Sequence, residues 1–259
     1  MVDDGGGVSL PETTQGSRSP LDVTLVRRAH AGPAAARNTG AAHAKGAVLV
    51  FLDDDCMPAP GWLRAFAPHF VDEADRVVGG RTINALTGNL YSSASQSLID
   101  YLYAYFNPHD GSARFFASNN VAVAKAGFQA AGGFDPSFPL AAAEDRDFCD
   151  RWVGRGGQLA CAPEALVYHA HELTALGFWR QHFNYGRGAC RFHRARSARG
   201  DDRIRVAPMA FYLNLLRFPL TEGRGLRAGW LSILMGVSQV ANAAGFFWEW
   251  PHASRSRRS

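Results

Sequence analysis

Three consecutive carboxylates, Asp53-Asp54-Asp55, follow directly on the apolar run Ala47 to Leu52. Like charges crowded at the end of a buried segment repel one another unless a cation neutralises them. Hard oxygen donors suit Mg2+ or Mn2+, with a phosphate completing the shell. A second acidic pair, Glu144-Asp145, stands about ninety positions later, ahead of a segment with helical character. Such a pair serves either the helix dipole or general acid–base chemistry. His169 and His171 alternate in a third segment, so on an extended strand they share one face.

These groups need a scaffold that brings distant segments to one place, and the pattern reads as α/β. Leu21 to Val26 reads as a short strand. Gly32-Pro33 opens an Ala-rich helix over Ala34 to Ala44. Ala47 to Leu52 is continuously apolar, as in the centre of a parallel sheet. Trp62 to Phe70 is amphipathic, Val77 to Ile83 reads as a strand, and Leu90 to Phe106 as a helix. Phe115 to Ala124 contains a strand, Glu144 to Val153 a helix, and Ala165 to His169 a strand. In open α/β sheets, ligands bind beyond the carboxyl ends of the strands, where the aspartate triplet sits. After His171 the chain reads as helices: Phe178 to Arg196, Val206 to Leu220 and Leu226 to Trp248. The division is therefore a catalytic part over residues 1–171 and a helical part over 172–259.

The stretch GPAAARNTGAAHAKGAVLVFLDDDCMPAPGWL from Gly32 to Leu63 resembles the family 2 glycosyltransferases. The resemblance rests on Ala36-Arg37-Asn38-Thr39-Gly40, the triplet as a DxD motif, Pro58 and Trp62-Leu63. It continues in order through Gly79-Gly80, Asn119-Asn120, Gly132-Gly133-Phe134-Asp135, Glu144-Asp145 and Val167-Tyr168-His169. It implies a GT-A fold, a Rossmann-like mixed sheet flanked by helices, here with a C-terminal helical extension. It implies transfer of a sugar from a nucleotide-sugar donor to a polysaccharide or lipid-linked acceptor, with inversion at the anomeric carbon. Residue by residue, it casts Asp145 as general base, with Glu144 binding acceptor or orienting the site. Asp4, Arg37, Asp53, Asp54, Asn119 and Asn120 fall to the donor. Asp55, with Asp53 and His169, falls to Mg2+ or Mn2+, His171 being the weaker match. Gln181 and Arg187 fall beside the acceptor. The alternatives are a sugar-nucleotide nucleotidyltransferase, or an inactive remnant that binds a partner through its helices.

The family also has a first strand and helix before a strand ending Val-Asp-Asp-Gly-Ser, which Val2-Asp3-Asp4-Gly5 resembles. The register predicts that the first strand and helix are missing, and that Asp3-Asp4 lies near the triplet. The whole reading requires the two acidic centres to share one crevice.

Composition narrows the rest. The 259 residues are 47% hydrophobic and 19% charged, which describes a globular chain. Four cysteines without a C-x-x-C exclude a disulfide scaffold or zinc ribbon and fit a reducing compartment. No secretory signal is visible. A mean hydropathy of -0.15 excludes a polytopic membrane protein. The net charge of +4 is carried almost wholly by arginine, concentrated late in the chain. Without a nucleic-acid motif, those clusters fit an anionic membrane surface or plain solvation and not nucleic acid. Ala228 to Trp248 carries no charge and has the length of about 20 residues that a span requires. Polar and glycine interruptions, the Phe246-Phe247-Trp248 cluster and the terminal arginines favour docking or an interfacial seat, with Trp230, Leu234, Val237, Ala241, Ala244 and Trp248 near one face. The expected location is the cytoplasm, at the inner face of the cell membrane.

Overall fold

The computed structural model describes residues 1–7, 23–71, 75–107, 113–200, 207–223 and 225–252. Most of the N-terminal loop, part of the strand expected from Leu21 and the terminal arginines Arg255, Arg257 and Arg258 lie outside the described residues.

Two sheets make up the α/β part. In the first, β1 (Val2–Asp4) pairs in parallel with β2 (Val26–Arg28). The extended segment expected from Leu21 to Val26 thus forms its strand later, at Val26–Arg28. The second sheet has five strands: β3 (Val48–Leu52), β4 (Cys56–Pro58), β5 (Arg76–Asn84), β6 (Asn120–Ala124) and β7 (Gln158–His169). Their order is β3-β6-β5-β7-β4, and of these pairs β5 and β7 alone are parallel. The mixed sheet expected from the resemblance is present. The apolar run of β3 does not mark a central parallel strand, however. It pairs antiparallel with β6 at the sheet edge, and Leu49 and Phe51 are buried while Val48 and Val50 are half-buried. The helical layer on that side supplies the partial cover that makes an edge strand look like a core strand.

The helices are α1 (Pro33–His43), α2 (Trp62–Phe66), α3 (Leu90–Phe106), α4 (Lys125–Ala130), α5 (Glu144–Gly154), α6 (Ala175–Ala198), α7 (Met209–Glu222) and α8 (Leu226–His252). Asn89 caps α3 by accepting from the backbone N–H of Tyr91 and Ser92, both at 3.0 Å. The main core lies between the sheet and α1, α4 and α5, and is rich in aromatics: Phe51, Phe116, Phe128, Phe134, Phe148 and Trp152. Asn38 on α1 ties down the Gly132 to Asp135 turn, donating to the Phe134 carbonyl at 2.7 Å and accepting from its N–H at 2.9 Å. Two motif segments far apart in sequence are thereby clamped together.

Helices α6 and α8 cross in backbone contact. A Cβ on Gly186 would stand 1.8 Å from the Asn242 carbonyl oxygen, and one on Gly245 would stand 1.8 Å from that of Phe183. The glycines that weaken α8 as a span thus include the one its crossing requires. Next to the crossing, buried Glu249 pairs with Arg187 at 2.8 Å and Arg191 at 2.5 Å. Burial alone would raise the Glu249 pKa, but the two guanidinium groups outweigh it and hold it below the ordinary value. Removing that charge strands two arginines against the helix pair. Glu249→Gln is expected to lower stability by about 3 kcal/mol, read as a shift in the urea midpoint at unchanged slope.

The buried face of α8 carries Ala228, Met235, Ser238, Ala241 and Glu249. Of the residues expected near one face, Ala241 is buried and Leu234 and Val237 are half-buried, while Trp230 and Trp248 are 56% and 58% exposed, and Ile233, Val240 and Phe247 are exposed as well. One helix among the described residues, Leu226–Pro251, is long and apolar enough to cross a membrane. It packs on α6, α7 and α3 through one side and leaves an apolar surface on the other.

Candidate active site

The chemistry-bearing residues come from the ends of β3 and β7, the start of α5 and the middle of α1. Asp53 follows β3 directly, and Arg37 projects from α1 toward it. The Arg37 guanidinium forks, donating to Asp53 Oδ1 at 2.7 Å and to Glu144 Oε1 at 2.8 Å. Burial works against the charge on Arg37, but Asp53 and Glu144 prevail and hold it protonated above its ordinary range. The aspartate triplet and the Glu-Asp pair are therefore joined through one buried cation. Arg37, Asp53, Glu144, Asp145 and His169 all line a single cavity of about 590 Å3. The two acidic centres share one crevice.

Helix α5 begins in strain. Ala143, its N-cap, has a φ of 71°, the left-handed region that costs a non-glycine residue roughly 1–2 kcal/mol. That kink aims Glu144 and Asp145 from the first turn of α5 into the cavity, where the helix N-terminus favours their charge. Asp145 Oδ1 accepts from the Arg146 N–H at 2.7 Å, and its Oδ2 faces the Ser118 N–H at 3.4 Å. Desolvation raises the pKa of both carboxyls. Arg37 partly opposes this, and for Glu144 the neighbouring Asp145 adds to the rise.

Asp55 occupies a separate corner of the site. The antiparallel ladder of β4 and β7 places Cys56 opposite His169, and the Ala170 N–H donates to the Asp55 carbonyl at 2.8 Å. This seats the Asp55 carboxylate against both histidines: Oδ2 lies 3.1 Å from His169 Nε2 and 3.0 Å from His171 Nδ1. Hydrogen bonds from His169 and His171 drive the Asp55 pKa well below the carboxylate range, and Asp55 in turn raises that of His171. The three donor atoms lie within 4.8 Å of one another, the one such His/Cys/Asp/Glu group among the described residues. One carboxylate oxygen and two imidazole nitrogens make a mixed donor set that a divalent transition ion such as Mn2+ accepts more readily than Mg2+, which prefers an all-oxygen shell.

The expected residues do not all meet here. Asp53 stands with Arg37 and outside the Asp55 group, because the guanidinium claims it. Asn119 lines the cavity, and its Oδ1 is buried without a partner among the described residues, as is Glu144 Oε2. Asn120 lies outside the cavity, spent on the scaffold: its amide donates to the Arg81 and Ala165 carbonyls and accepts from the Trp62 indole at 2.9 Å. Gly80 makes room for it, since a Cβ there would sit 2.4 Å from the Asn120 nitrogen. Asp4 also lies outside the cavity. It accepts from the Ala31 and Gly32 N–H groups and pairs with Arg28 at 3.1 Å, holding the start of α1. Asp54 is exposed and outside the cavity. Gln181 does line it, donating to Ser95 and Tyr185, whereas Arg187 is turned to Glu249. His171, the weaker match in the sequence, contacts Asp55 as closely as His169 does. Its only sequence signal is the His-x-His alternation, which a strand end converts into a pair.

A mixed sheet carrying acidic and histidine groups at the strand ends, above a strained helix start, is the arrangement of the GT-A fold. The family model "Glycosyl transferase family 2" matches residues 1–132, and the chain belongs to that family. It is 32% identical over 185 residues to a pre-mycofactocin glycosyltransferase of Mycobacterium tuberculosis, covering 69% of this chain and 38% of that protein. It is 26% identical over 205 residues to a chondroitin synthase of Escherichia coli, covering 65% of this chain and 29% of that one. The chain thus spans well under half the length of these relatives. Among solved structures, it shares its fold with a mannosyltransferase from Pyrobaculum calidifontis in complex with GDP-Man and Mn2+. The TM-score is 0.57 at 16% identity, over 87% of this chain and 70% of that one.

Proposed function

We propose that this chain transfers a sugar from a nucleotide-sugar donor to an acceptor hydroxyl on a polysaccharide or lipid-linked glycan, inverting the anomeric carbon. The observation that carries the reading is the Arg37 fork, which sets Asp53, the first of the triplet, and the Glu-Asp pair on one cavity. Asp145 takes the proton of the acceptor hydroxyl as its oxygen bonds to the anomeric carbon. The bond from that carbon to the diphosphate oxygen breaks at the same time, and its electron pair leaves with the nucleoside diphosphate. A carboxylate whose pKa is raised by desolvation holds a proton better than an exposed one, which suits a general base. The unpaired Glu144 Oε2 and Asn119 Oδ1 accept from sugar or acceptor hydroxyls. Asp55, His169 and His171 are the residues that would hold Mn2+ or Mg2+, which when bound supplies positive charge beside the departing diphosphate. The outward residues of α8 seat the molecule on the cytoplasmic face of the membrane.

Release of nucleoside diphosphate from UDP- and GDP-sugars in the presence of MnCl2 tests the reading. Turnover is expected, and its absence with every common donor overturns it. MnCl2 near 100 times its Kd is expected to stabilise the protein by about 2.7 kcal/mol, or several degrees in Tm. Asp55→Ala is expected to remove that shift in a thermal melt.

A further inference from the structure

Resting on the transfer reading, the geometry points to an acceptor whose hydroxyl is carried by an apolar body, and not by a sugar chain alone. The cavity has two chemically different ends. Around Asp145 it is polar, with Glu144, Asn119 and the histidines. Away from Asp145 its wall is built from α3, α7 and α8, through Leu98, Leu102, Phe211, Leu215, Phe246 and Phe247. Leu98 and Leu215 belong to the packed cluster between these helices, and Phe247, also on the lining, is 72% exposed.

Aliphatic walls discriminate. A glycan hydroxyl set against Leu98, Leu102 and Phe211 would lose its hydrogen bonds to water and depend on the few polar groups of that wall, Gln96, Tyr212, Gln239 and Asn242, which disfavours it. A hydrocarbon or aromatic body in the same place gains with each group buried, about fourfold in affinity per CH2. At about 590 Å3 the cavity is in the range that encloses a ligand of drug-like size, larger than the transferring sugar alone requires. The polar end and the apolar end belong to one continuous space. An alcohol with its apolar portion between α3, α7 and α8 therefore presents its polar head to Asp145. Straight-chain and aromatic bodies share this chemistry, and the test separates them.

The probes are methyl, butyl, hexyl and octyl β-glucosides, phenyl β-glucoside, and a glucose trisaccharide. Each is titrated calorimetrically into the full chain below its micellar concentration. Affinity is expected to rise about fourfold per added CH2 from butyl to octyl if the body is a chain. If phenyl glucoside binds tighter than hexyl glucoside, the body is aromatic, and the inference holds in that form. Two variants alter the wall: Ala243→Trp narrows the cavity at an exposed position of α8, and Leu102→Asn makes its side polar. Both are expected to flatten the series by at least about tenfold at octyl, three buried CH2 groups being worth more than that. Val240→Trp, 62% exposed and outside the cavity lining, is expected to bind as the parent does.

A flat alkyl series overturns the inference, as does a trisaccharide that binds tighter than octyl glucoside. Donor turnover in the same preparation separates the two levels. Turnover with a flat series sinks the apolar acceptor alone. A steep series without turnover of any nucleotide-sugar sinks the transfer reading and leaves an apolar alcohol site.

Discussion

Replacing Asp145 by asparagine is expected to lower kcat/KM for transfer by about 10²–10⁴-fold while making the folded protein more stable at alkaline pH. The two effects share one cause. Desolvation at the start of α5 raises the Asp145 pKa, and the Arg146 N–H, Arg37 and the Ser118 N–H recover part of the loss. A carboxyl whose folded pKa lies above its unfolded value binds a proton more tightly when folded. Stability is then highest below the unfolded value of about 3.9, and it falls as pH rises through the raised folded value. Above that value the full penalty of a desolvated charge applies, and asparagine removes it. The variant is therefore expected to melt higher than the parent at pH 8, with the advantage shrinking toward pH 4. A gain of 1 kcal/mol corresponds to roughly 2–4 °C in a chain of this size.

Activity runs the other way, because the base must be ionised. The acid limb of kcat/KM is expected to lie above the ordinary aspartate range and to vanish in Asp145→Asn. Wild-type rates in the variant would place the base elsewhere. A lower melting point at pH 8 would mean that the carboxylate is not strained by its surroundings.

The legibility of this site in the sequence varied with how much of each residue's role is local. Leu90–Phe106 could be read to its ends, because an asparagine cap and a helical apolar period are local signals. The Ala-rich α1 was equally plain. Sheet order was not: an edge strand covered by helices on one side carries the same letters as a central one, and β3 is of that kind. Asn119 and Asn120 are chemically identical neighbours on the page. Asn119 lies in the turn and Asn120 opens β6, so one residue lines the cavity and the other sends its amide into the sheet beneath Gly80. The pairing of Arg187 was hidden for a similar reason. Its partner, Glu249, lies on another helix sixty-two positions away, and spacing does not reveal such a pair. Which face of α8 is buried was not legible, because a helix apolar on nearly every side has no unique buried stripe until the glycine crossing with α6 chooses one.

Arg37→Ala is expected to cost about 3–5 kcal/mol at pH 8, more than the loss of any exposed ion pair. Arg37 is 14% exposed at its side chain and Glu144 3%, so neither can turn to water when its partner goes. Desolvation and the nearby Asp145 already push the Glu144 pKa up, and Arg37 is the cation that opposes them. Without Arg37 that pKa rises further. The destabilisation is fully present above the new value and diminishes as pH falls through it, because protonation then relieves the stranded charge. The double variant Arg37→Ala/Glu144→Gln is accordingly expected to regain much of the lost stability, a coupling that a double-mutant cycle in urea measures directly. Arg37→Lys is expected to rescue poorly. A single ammonium does not reproduce a planar fork that meets Asp53 and Glu144 in two directions. Equal losses at pH 5 and pH 8, or no recovery in the double variant, would show that Arg37 acts through packing and not charge. The cycle thus bears on how the site can exist at all: two acidic clusters brought to one crevice repel each other, and a buried guanidinium between them makes their approach compatible with folding.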